Sequence, residues 1–177
     1  ATNAVMNRIP PTDASGKAAA IAMVTPETGE VVALAQSRYW GTKGKGNTTY
    51  NYAVDLKDGG TTGMQAGSTF KIFTLAAAME AGISPYEVLD SSDDKTFAAG
   101  PWGCTDNYFG PYTVSNSTSS GQFNMLQGTA FSVNTYFVGL EQLAGLCRTV
   151  DIAKRTGMTL ANGGELPEVQ SFTLGSV

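Results

Sequence analysis

Histidine is absent from the 177-residue chain. Its absence excludes the Ser-His-Asp and Cys-His arrangements that activate many hydrolytic nucleophiles, and almost every zinc hydrolase site. Positive charge is also scarce, with 11 Lys and Arg against 15 Asp and Glu and a formal net charge of −4. Because no basic cluster is present, we expect no nucleic-acid partner. Any catalysis must therefore use lysine, carboxylates, hydroxyl groups or the backbone.

Long apolar runs and cysteines are scarce as well. No stretch approaches the roughly 20 apolar residues that a membrane-spanning helix needs. The two cysteines, Cys104 and Cys147, have neither CxxC spacing nor a neighbouring histidine, so we expect no metal site. Two interpretations stay open. Either a disulfide closes a loop of about 44 residues, worth about 4 kcal/mol and typical of an exported protein, or two thiols are buried separately.

The residues that are present favour a globular domain. Apolar residues make up 42% of the chain and charged residues only 15%, so a sizeable core can form. Residues 18–37 contain two apolar β-branched runs around a turn with Pro and Gly at 25–29, which predicts a β-hairpin. Residues 39–67 are rich in Gly, Thr and Asn with little periodicity and are expected to form loops.

The second half of the chain is predicted to be mostly helical. Residues 68–82 are good helix formers that begin with Ser and Thr and end with Gly, which predicts the clearest helix of the chain. Residues 84–122 carry prolines, polar clusters and aromatic clusters, and we expect an irregular excursion with one short helix. Apolar spacing then predicts three helices, within FNMLQGTAF, TYFVGLEQLAGL and RTVDIAKRTG.

A serine and a lysine stand three residues apart at the start of the clearest helix. Ser68 and Lys71 therefore lie on one helix face, with β-carbons about 5–6 Å apart. Serine is a weak nucleophile without an adjacent base, and a lysine amine in an apolar setting is the best base that this chain offers. A helix N-terminus also presents unpaired backbone donors, which stabilise a developing oxyanion. The pair is a candidate for acyl transfer.

The same spacing also arises readily by chance. Ser92 and Lys95 match it too, but this lysine follows two carboxylates in a polar stretch. Its ammonium form is favoured there, so we expect Lys95 to be an ordinary surface lysine. The spacing alone therefore does not identify a site.

A polar triplet between two apolar helical segments gives the second observation. Ser132 or Asn134 of Ser132-Val133-Asn134 can simply cap the following helix. Alternatively, a second hydroxyl near the lysine relays a proton to a leaving amine, and a carboxamide holds a substrate amide. The presence of Ser68 and Lys71 favours the functional interpretation.

Three segments together resemble a known family. GSTFKIFTLAAAMEAG, FSVNTYFVGLEQLAG and the hairpin IAMVTPETGEVVALA, followed by SFTLGS, are similar to the transpeptidase domain of bifunctional (class A) penicillin-binding proteins. The resemblance runs from about residue 18 to the end of the chain. It implies that Ser68 is the acylated serine, Lys71 its base partner, Ser132 the second serine and Asn134 the substrate-binding asparagine.

The resemblance also implies a fold and a domain organisation. The family fold is α+β, an antiparallel five-stranded sheet flanked by helices, with a helical subdomain. Residues 1–177 are expected to be the N-terminal part of one such domain, with the hairpin at 18–37, the active-site helix from 68 and the helical subdomain at about 84–160. This chain then supplies only the first strands and most of the helices. A second chain or a missing continuation is expected to hold the remainder with the family's KTG motif.

The implied reaction is acyl transfer without a metal or an organic cofactor. The expected substrates are peptidoglycan stem peptides ending in D-Ala-D-Ala, and β-lactam antibiotics are expected to acylate the same serine. The full-length protein is expected to be exported and membrane-anchored at the outer face of the bacterial cytoplasmic membrane. An exported protein favours the disulfide between the two cysteines.

Two departures from the family pattern matter. Val133 replaces the Asp of the second motif, which suits a penicillin-binding protein better than a class A β-lactamase. No KTG is present, since Lys154 is followed by Arg155-Thr156-Gly157 in a helical pattern that we expect to end at Gly157 with Arg155 solvated. The alternatives are a serine β-lactamase, with Glu165 or Glu168 as its deacylation base, and a non-catalytic β-lactam sensor or wall-binding module.

Overall fold

The computed structural model describes residues 1–103 and 107–176, which form two compact units. The first unit comprises Ala1–Met64 and Leu160–Gly164, and the second comprises Gln65–Thr159 and Glu165–Val177. Within the described part of the chain, no helix combines the length and the apolar character that crossing a membrane requires.

A β-hairpin organises the first unit, as predicted. Strand β1 (Ala20–Val24) pairs antiparallel with β2 (Val31–Gln36). The connecting turn is closed by the Thr25 N–H, which donates to the Glu30 carbonyl at 2.8 Å. Gly29 adopts a φ of +73°, a left-handed conformation that favours glycine and explains its place in the turn.

Both faces of this hairpin carry exposed apolar side chains. Exposure ranges from 38% to 61% for Ile21, Met23, Val24, Val31, Val32 and Leu34. Helix α1 (Thr2–Arg8) packs against β2 and buries Val5. Most of the apolar surface of the two strands is therefore uncovered within the described residues.

The rest of the first unit is mainly irregular, in agreement with the loops predicted for residues 39–67. Two-residue strands β3 (Tyr39–Trp40) and β4 (Asn47–Thr48) pair in parallel, and a 3₁₀ turn spans Leu56–Asp58. The Leu56 N–H donates to the Ala161 carbonyl at 3.0 Å, which ties the returning segment Leu160–Gly164 to this unit.

Helices build the core of the second unit. A 3₁₀ turn at Gly67–Phe70 leads into α2 (Lys71–Glu80), and α3 (Met125–Ala130), α4 (Asn134–Ala144) and α5 (Leu146–Arg155) follow the predicted pattern. A second 3₁₀ turn spans Phe172–Leu174. The central cluster of buried side chains consists of Ala77, Ala78, Met125, Val133, Tyr136, Phe137, Leu140, Ala144 and Ile152.

Small residues let these helices approach closely. A β-carbon on Gly128 would overlap the ring of Tyr136, so the ring packs directly on the α3 backbone. Tyr136 is fully buried in the central cluster. The positions of α3 and α4, and of the loop that joins them, are therefore fixed by packing.

The prediction for residues 84–122 was wrong in part. Within the described residues this segment contains no helix and instead forms β5 (Leu89–Ser91), β6 (Lys95–Phe97), β7 (Gly100–Pro101), β8 (Tyr108–Phe109), β9 (Tyr112–Val114) and β10 (Gly121–Phe123). The strands pair antiparallel in nested fashion, β5 with β10, β6 with β9 and β7 with β8. Strands of two or three residues are too short to leave a two-residue hydrophobic period in the sequence.

The tip of this strand assembly is aromatic. The Trp102 ring is fully buried and packs against Phe97, Phe109 and Tyr112 at centroid distances of 6.1–6.4 Å. Cys104 lies outside the described residues, so the predicted disulfide between Cys104 and Cys147 stays a prediction.

Candidate active site

Ser68 and Lys71 lie where a 3₁₀ turn passes into an α-helix. Ser68 is exposed in the turn Gly67–Phe70, whereas Lys71 begins α2 and is only 5% exposed. The predicted helix thus begins with tighter winding than expected. The result is an accessible hydroxyl close in sequence to a buried amine.

Ser132 and Asn134 flank the start of α4. Ser132 adopts a φ of +51°, a left-handed conformation that costs a non-glycine residue about 1–2 kcal/mol. The turn is held by the Ser132 N–H, which donates to Thr129 O at 3.0 Å, and by the Val133 N–H, which donates to Gly128 O at 2.9 Å. Backbone strain of this kind concentrates at functional sites.

The amine of Lys71 joins these residues. Its Nζ donates to the Ser132 carbonyl oxygen at 2.6 Å, to Ser132 Oγ at 3.0 Å and to Asn134 Oδ1 at 2.8 Å. The structure therefore brings together three of the four residues that the motifs single out. Neither Ser132 nor Asn134 caps α4 with its side chain, contrary to the capping alternative.

Burial changes the protonation of this amine. Desolvation lowers the pKa of Lys71 from 10.5 to about 8. The Phe137 ring lies 5.4 Å from Nζ and is itself buried, which contributes to the apolar surroundings. A neutral amine still satisfies every contact, since it can donate to the two carbonyl oxygens and accept a hydrogen bond from the Ser132 hydroxyl.

Asn116, to which the sequence analysis gave no role in the site, holds the start of α4 in place. Asn116 Oδ1 accepts from the backbone N–H of Thr135 at 2.9 Å and so caps α4, while Asn116 Nδ2 donates to Ser91 O at 3.1 Å. Asn134 Nδ2 donates to Ser115 O at 3.0 Å, next to this cap. No local pattern indicates such a cap, because Asn116 precedes Thr135 by 19 residues.

A cavity of about 300 Å³ lies over these groups. Its lining residues are Ser68, Thr69, Lys71, Ile72, Leu75, Thr129, Ser132 and Phe137. An exposed hydroxyl, a buried amine of lowered pKa and a second hydroxyl thus share one partly apolar space. This set of groups suits acyl transfer through a serine ester.

The competing serine-lysine pair forms no such site. Ser92 Oγ donates to Asp90 Oδ2, and Lys95 in β6 forms an ion pair with the same carboxylate at 3.4 Å. The Lys95 side chain is 26% exposed and its Nζ also donates to the Asp90 carbonyl, so it is more enclosed than a freely solvated lysine. Neither Ser92 nor Lys95 is among the residues that line the cavity beside Ser68.

The glutamates considered as deacylation bases lie elsewhere. Glu165 has a 92% exposed side chain 3.6 Å from Lys154, and Glu168 accepts from Asn107 Nδ2 at 3.4 Å. Neither is among the residues that line the cavity.

The end of α5 follows the prediction. Gly157 has a φ of +86° just beyond the helix, as expected for its end. Arg155 is exposed, but it is paired with Glu80 and Asp151 rather than only solvated.

Comparisons with known proteins agree on one family. A model of the penicillin binding protein transpeptidase domain matches residues 19–171. Penicillin-binding protein 1A of Rickettsia prowazekii is 28% identical over 161 residues, which cover 89% of this chain and 18% of that protein. The chain thus spans about a fifth of the length of such curated relatives.

Solved structures give the same fold. Penicillin-binding protein PonA1 of Mycobacterium tuberculosis matches with a TM-score of 0.64 and 22% identity, over 98% of this chain and 41% of that one. Penicillin binding protein 3 from the same organism, complexed with ampicillin, matches with a TM-score of 0.57 and 20% identity, over 99% and 40%. These matches confirm the α+β transpeptidase-like fold class.

Proposed function

The chain belongs to the family of penicillin-binding protein transpeptidase domains, and from that premise we propose that it carries the acylation centre of a DD-transpeptidase that cross-links peptidoglycan stem peptides. One observation carries the proposal. The buried amine of Lys71 contacts Ser132 and Asn134 in a cavity that the exposed Ser68 borders. This geometry supports a serine nucleophile with a lysine base in a chain that has no histidine.

The proposed reaction has two halves. In the first, Ser68 Oγ forms a bond to the carbonyl carbon of the penultimate D-Ala while its proton passes to the neutral amine of Lys71. The peptide C–N bond then breaks, and the proton returns through the Ser132 hydroxyl to the leaving D-Ala. In the second, the nitrogen of an amine from a neighbouring stem peptide forms a bond to the ester carbonyl carbon and gives up a proton to Lys71. The ester C–O bond then breaks and Ser68 Oγ takes that proton, so the acyl group is transferred without a cofactor.

Asn134 has a binding role in this scheme. Its Oδ1 accepts from Lys71 Nζ and its Nδ2 donates to Ser115 O, so two hydrogen bonds orient the carboxamide beside the amine at the start of α4. A carboxamide offers one acceptor and one donor to a substrate amide. We propose that binding the donor peptide shifts these contacts towards the substrate.

β-Lactams are proposed to acylate the same serine. The related penicillin binding protein 3 of Mycobacterium tuberculosis has been solved in complex with ampicillin. A β-lactam presents a strained amide whose leaving nitrogen stays tethered after ring opening. The acyl-serine is therefore expected to persist.

Further strands are proposed to complete the domain. The apolar side chains on both faces of the β1–β2 hairpin, which are exposed to between 38% and 61%, need cover, and an isolated two-stranded hairpin is at best marginally stable. Among the described residues that line the cavity, Lys71 supplies the one positive charge, so a group that holds the substrate carboxylate must come from elsewhere. We propose that a second chain or a continuation of this one provides these strands and the KTG motif.

The completing strands can be tested directly. Residues 1–177 expressed alone are expected to aggregate or to lose penicillin acylation, whereas the complete domain is expected to acylate. A monomeric, cooperatively folded and penicillin-reactive 1–177 chain would contradict the proposal. For the full-length protein we propose membrane anchorage with this domain at the outer face of the cytoplasmic membrane.

A turnover assay tests the proposed function. The full-length protein is incubated with a synthetic peptide ending in D-Ala-D-Ala and a free D-amino acid as acceptor, and in a separate reaction with penicillin G. The products and any protein adduct are identified by mass spectrometry. Release of D-Ala with transfer to the acceptor supports a transpeptidase. Acylation without release indicates a sensor, rapid hydrolysis of penicillin indicates a β-lactamase, and absence of acylation indicates a binding module.

A further inference from the structure

We propose that the segment Ser171–Ser176, here termed the buttress segment, positions Ser68 relative to Lys71, with Thr173 and Gly175 as its positioning residues. The proposal rests on the proposed function, because it assumes that Ser68 is acylated. The two positioning residues lie outside the cavity and affect the rate of Ser68 acylation only through the position of Ser68. Three contacts made by the buttress segment support it.

The first contact is between two backbones. Gly175 adopts a φ of +69°, and a β-carbon at this position would overlap the N and O atoms of Gly67. Gly67 immediately precedes Ser68. A backbone cannot move aside as a flexible side chain can, so any side chain on Gly175 must displace the turn that carries the nucleophile.

The second contact lies on the other side of the serine. The rings of Phe172 and Phe70 pack at a centroid distance of 5.2 Å, and both side chains are at most 3% exposed. In the sequence, Ser68 therefore lies between Gly67 and Phe70, and both of these residues contact the buttress segment. Its own side chain stays exposed.

The third contact reaches the helix of the base. Thr74 Oγ1 donates to Thr173 Oγ1 at 2.7 Å, and both threonines are fully buried. Thr74 lies three residues after Lys71, one turn along α2. The buttress segment thus binds the turn of the nucleophile and the helix of the base at once.

The amine of Lys71 is held independently of these contacts. Its hydrogen bonds go to Ser132 and Asn134, which belong to α4 and the loop before it. Loss of the buttress contacts should therefore move Ser68 while leaving the amine in place. A misplacement of about 1 Å in a reacting group can cost about 10²-fold in rate.

A glycine pair provides a matched test in the full-length protein. Gly175→Ala is compared with Gly82→Ala, since Gly82 has a φ of +73° and nothing within 4 Å of the position of an added β-carbon. Both variants place alanine at a similar positive φ, but only Gly175→Ala puts a β-carbon against Gly67. We expect the rate constant of acylation at saturating penicillin G to fall by at least about tenfold in Gly175→Ala and by less than about twofold in Gly82→Ala.

Thr173 gives a second pair that distinguishes positioning from folding. Thr173→Val keeps the shape and loses the hydrogen bond to Thr74, whereas Thr173→Ser keeps the hydroxyl. We expect Thr173→Val to slow acylation, Thr173→Ser to restore it, and the pH midpoint of acylation to stay unchanged in both. An equal rate in Thr173→Val and the wild type, or a Gly175→Ala rate no lower than that of Gly82→Ala, would overturn the proposal.

The outcomes separate this proposal from the proposed function. If the wild-type protein does not acylate at all, the proposed function fails, and hydrogen exchange then tests the buttress segment. If the backbone amides of residues 65–71 exchange faster in Thr173→Val than in Thr173→Ser, the hydrogen bond between Thr173 and Thr74 helps to hold the turn that carries Ser68. Equal exchange refutes it. If Gly175→Ala does not fold, the rates of the two threonine variants decide whether the proposal stands.

Discussion

The rate of Ser68 acylation is predicted to follow the titration of Lys71. Since burial lowers the pKa of Lys71 from 10.5 to about 8, the neutral amine makes up about one-tenth of the population at pH 7 and about half at pH 8. At the unshifted pKa only about one molecule in 3,000 would be neutral at pH 7. The site therefore raises the concentration of the proposed base about 300-fold.

The expected profile can be measured by stopped-flow acylation with a fluorescent penicillin between pH 6 and pH 10. The rate should rise about fivefold from pH 7 to pH 8. Above pH 8 it should rise by a further factor of about two and then level off. A tenfold rise per pH unit that continues above pH 9 would indicate an unshifted lysine. That profile, or a rate independent of pH from 6 to 8, would refute Lys71 as the base.

Two variants sharpen this test. Asn134→Asp places a carboxylate at the position of the oxygen now 2.8 Å from Lys71 Nζ, which raises the pKa of the lysine and should move the pH midpoint upward. Lys71→Arg keeps the positive charge but cannot deprotonate, so we expect acylation to fall by about 10²–10⁴-fold at every pH. Lys95→Ala, the matched control, should leave the profile unchanged.

Two further predictions concern stability, and a third concerns the two cysteines. Gly128→Ala should lower the free energy of unfolding of the complete domain by about 1–3 kcal/mol, measured by urea denaturation, because the added β-carbon overlaps the ring of Tyr136. Gly139→Ala is the control: its added β-carbon has its nearest contacts at 3.5 Å, so the change should be neutral or stabilising. Burial raises the pKa of Glu141 well above its usual range, so the folded state keeps a proton that the unfolded state releases. The free energy of unfolding should therefore decline as pH rises from about 4.5 towards the folded-state pKa, and Glu141→Gln should flatten this decline. Thiol titration of the unreduced, denatured protein should find no free thiol, and two reactive thiols would refute the disulfide.

Local chemistry explains which elements the sequence could predict. The hairpin was predicted by a Pro- and Gly-containing turn between β-branched runs, and the closing bond from Thr25 to Glu30 confirms it. The helix at Lys71–Glu80 follows from a run of good helix formers that ends before Gly82. The contacts of Lys71 with Ser132 and Asn134 agree with the motif-based prediction, while the roles of these residues stay predictions.

The missed features depend on contacts between distant residues. The strands within residues 84–122 are only two or three residues long, so pairing partners rather than periodicity define them. The cap that Asn116 provides to Thr135 and the contact of Gly175 with Gly67 join residues far apart in the chain. The left-handed conformation of Ser132 is disfavoured for serine, so its residue type did not predict it.

The central claim is that Ser68 is the nucleophile. Intact mass spectrometry of the complete domain after incubation with penicillin G, followed by peptide mapping, tests it most directly. We predict one covalent equivalent, located on Ser68, absent in Ser68→Ala and undiminished in Ser92→Ala. An adduct on another residue, or unchanged labelling of Ser68→Ala, would contradict the claim.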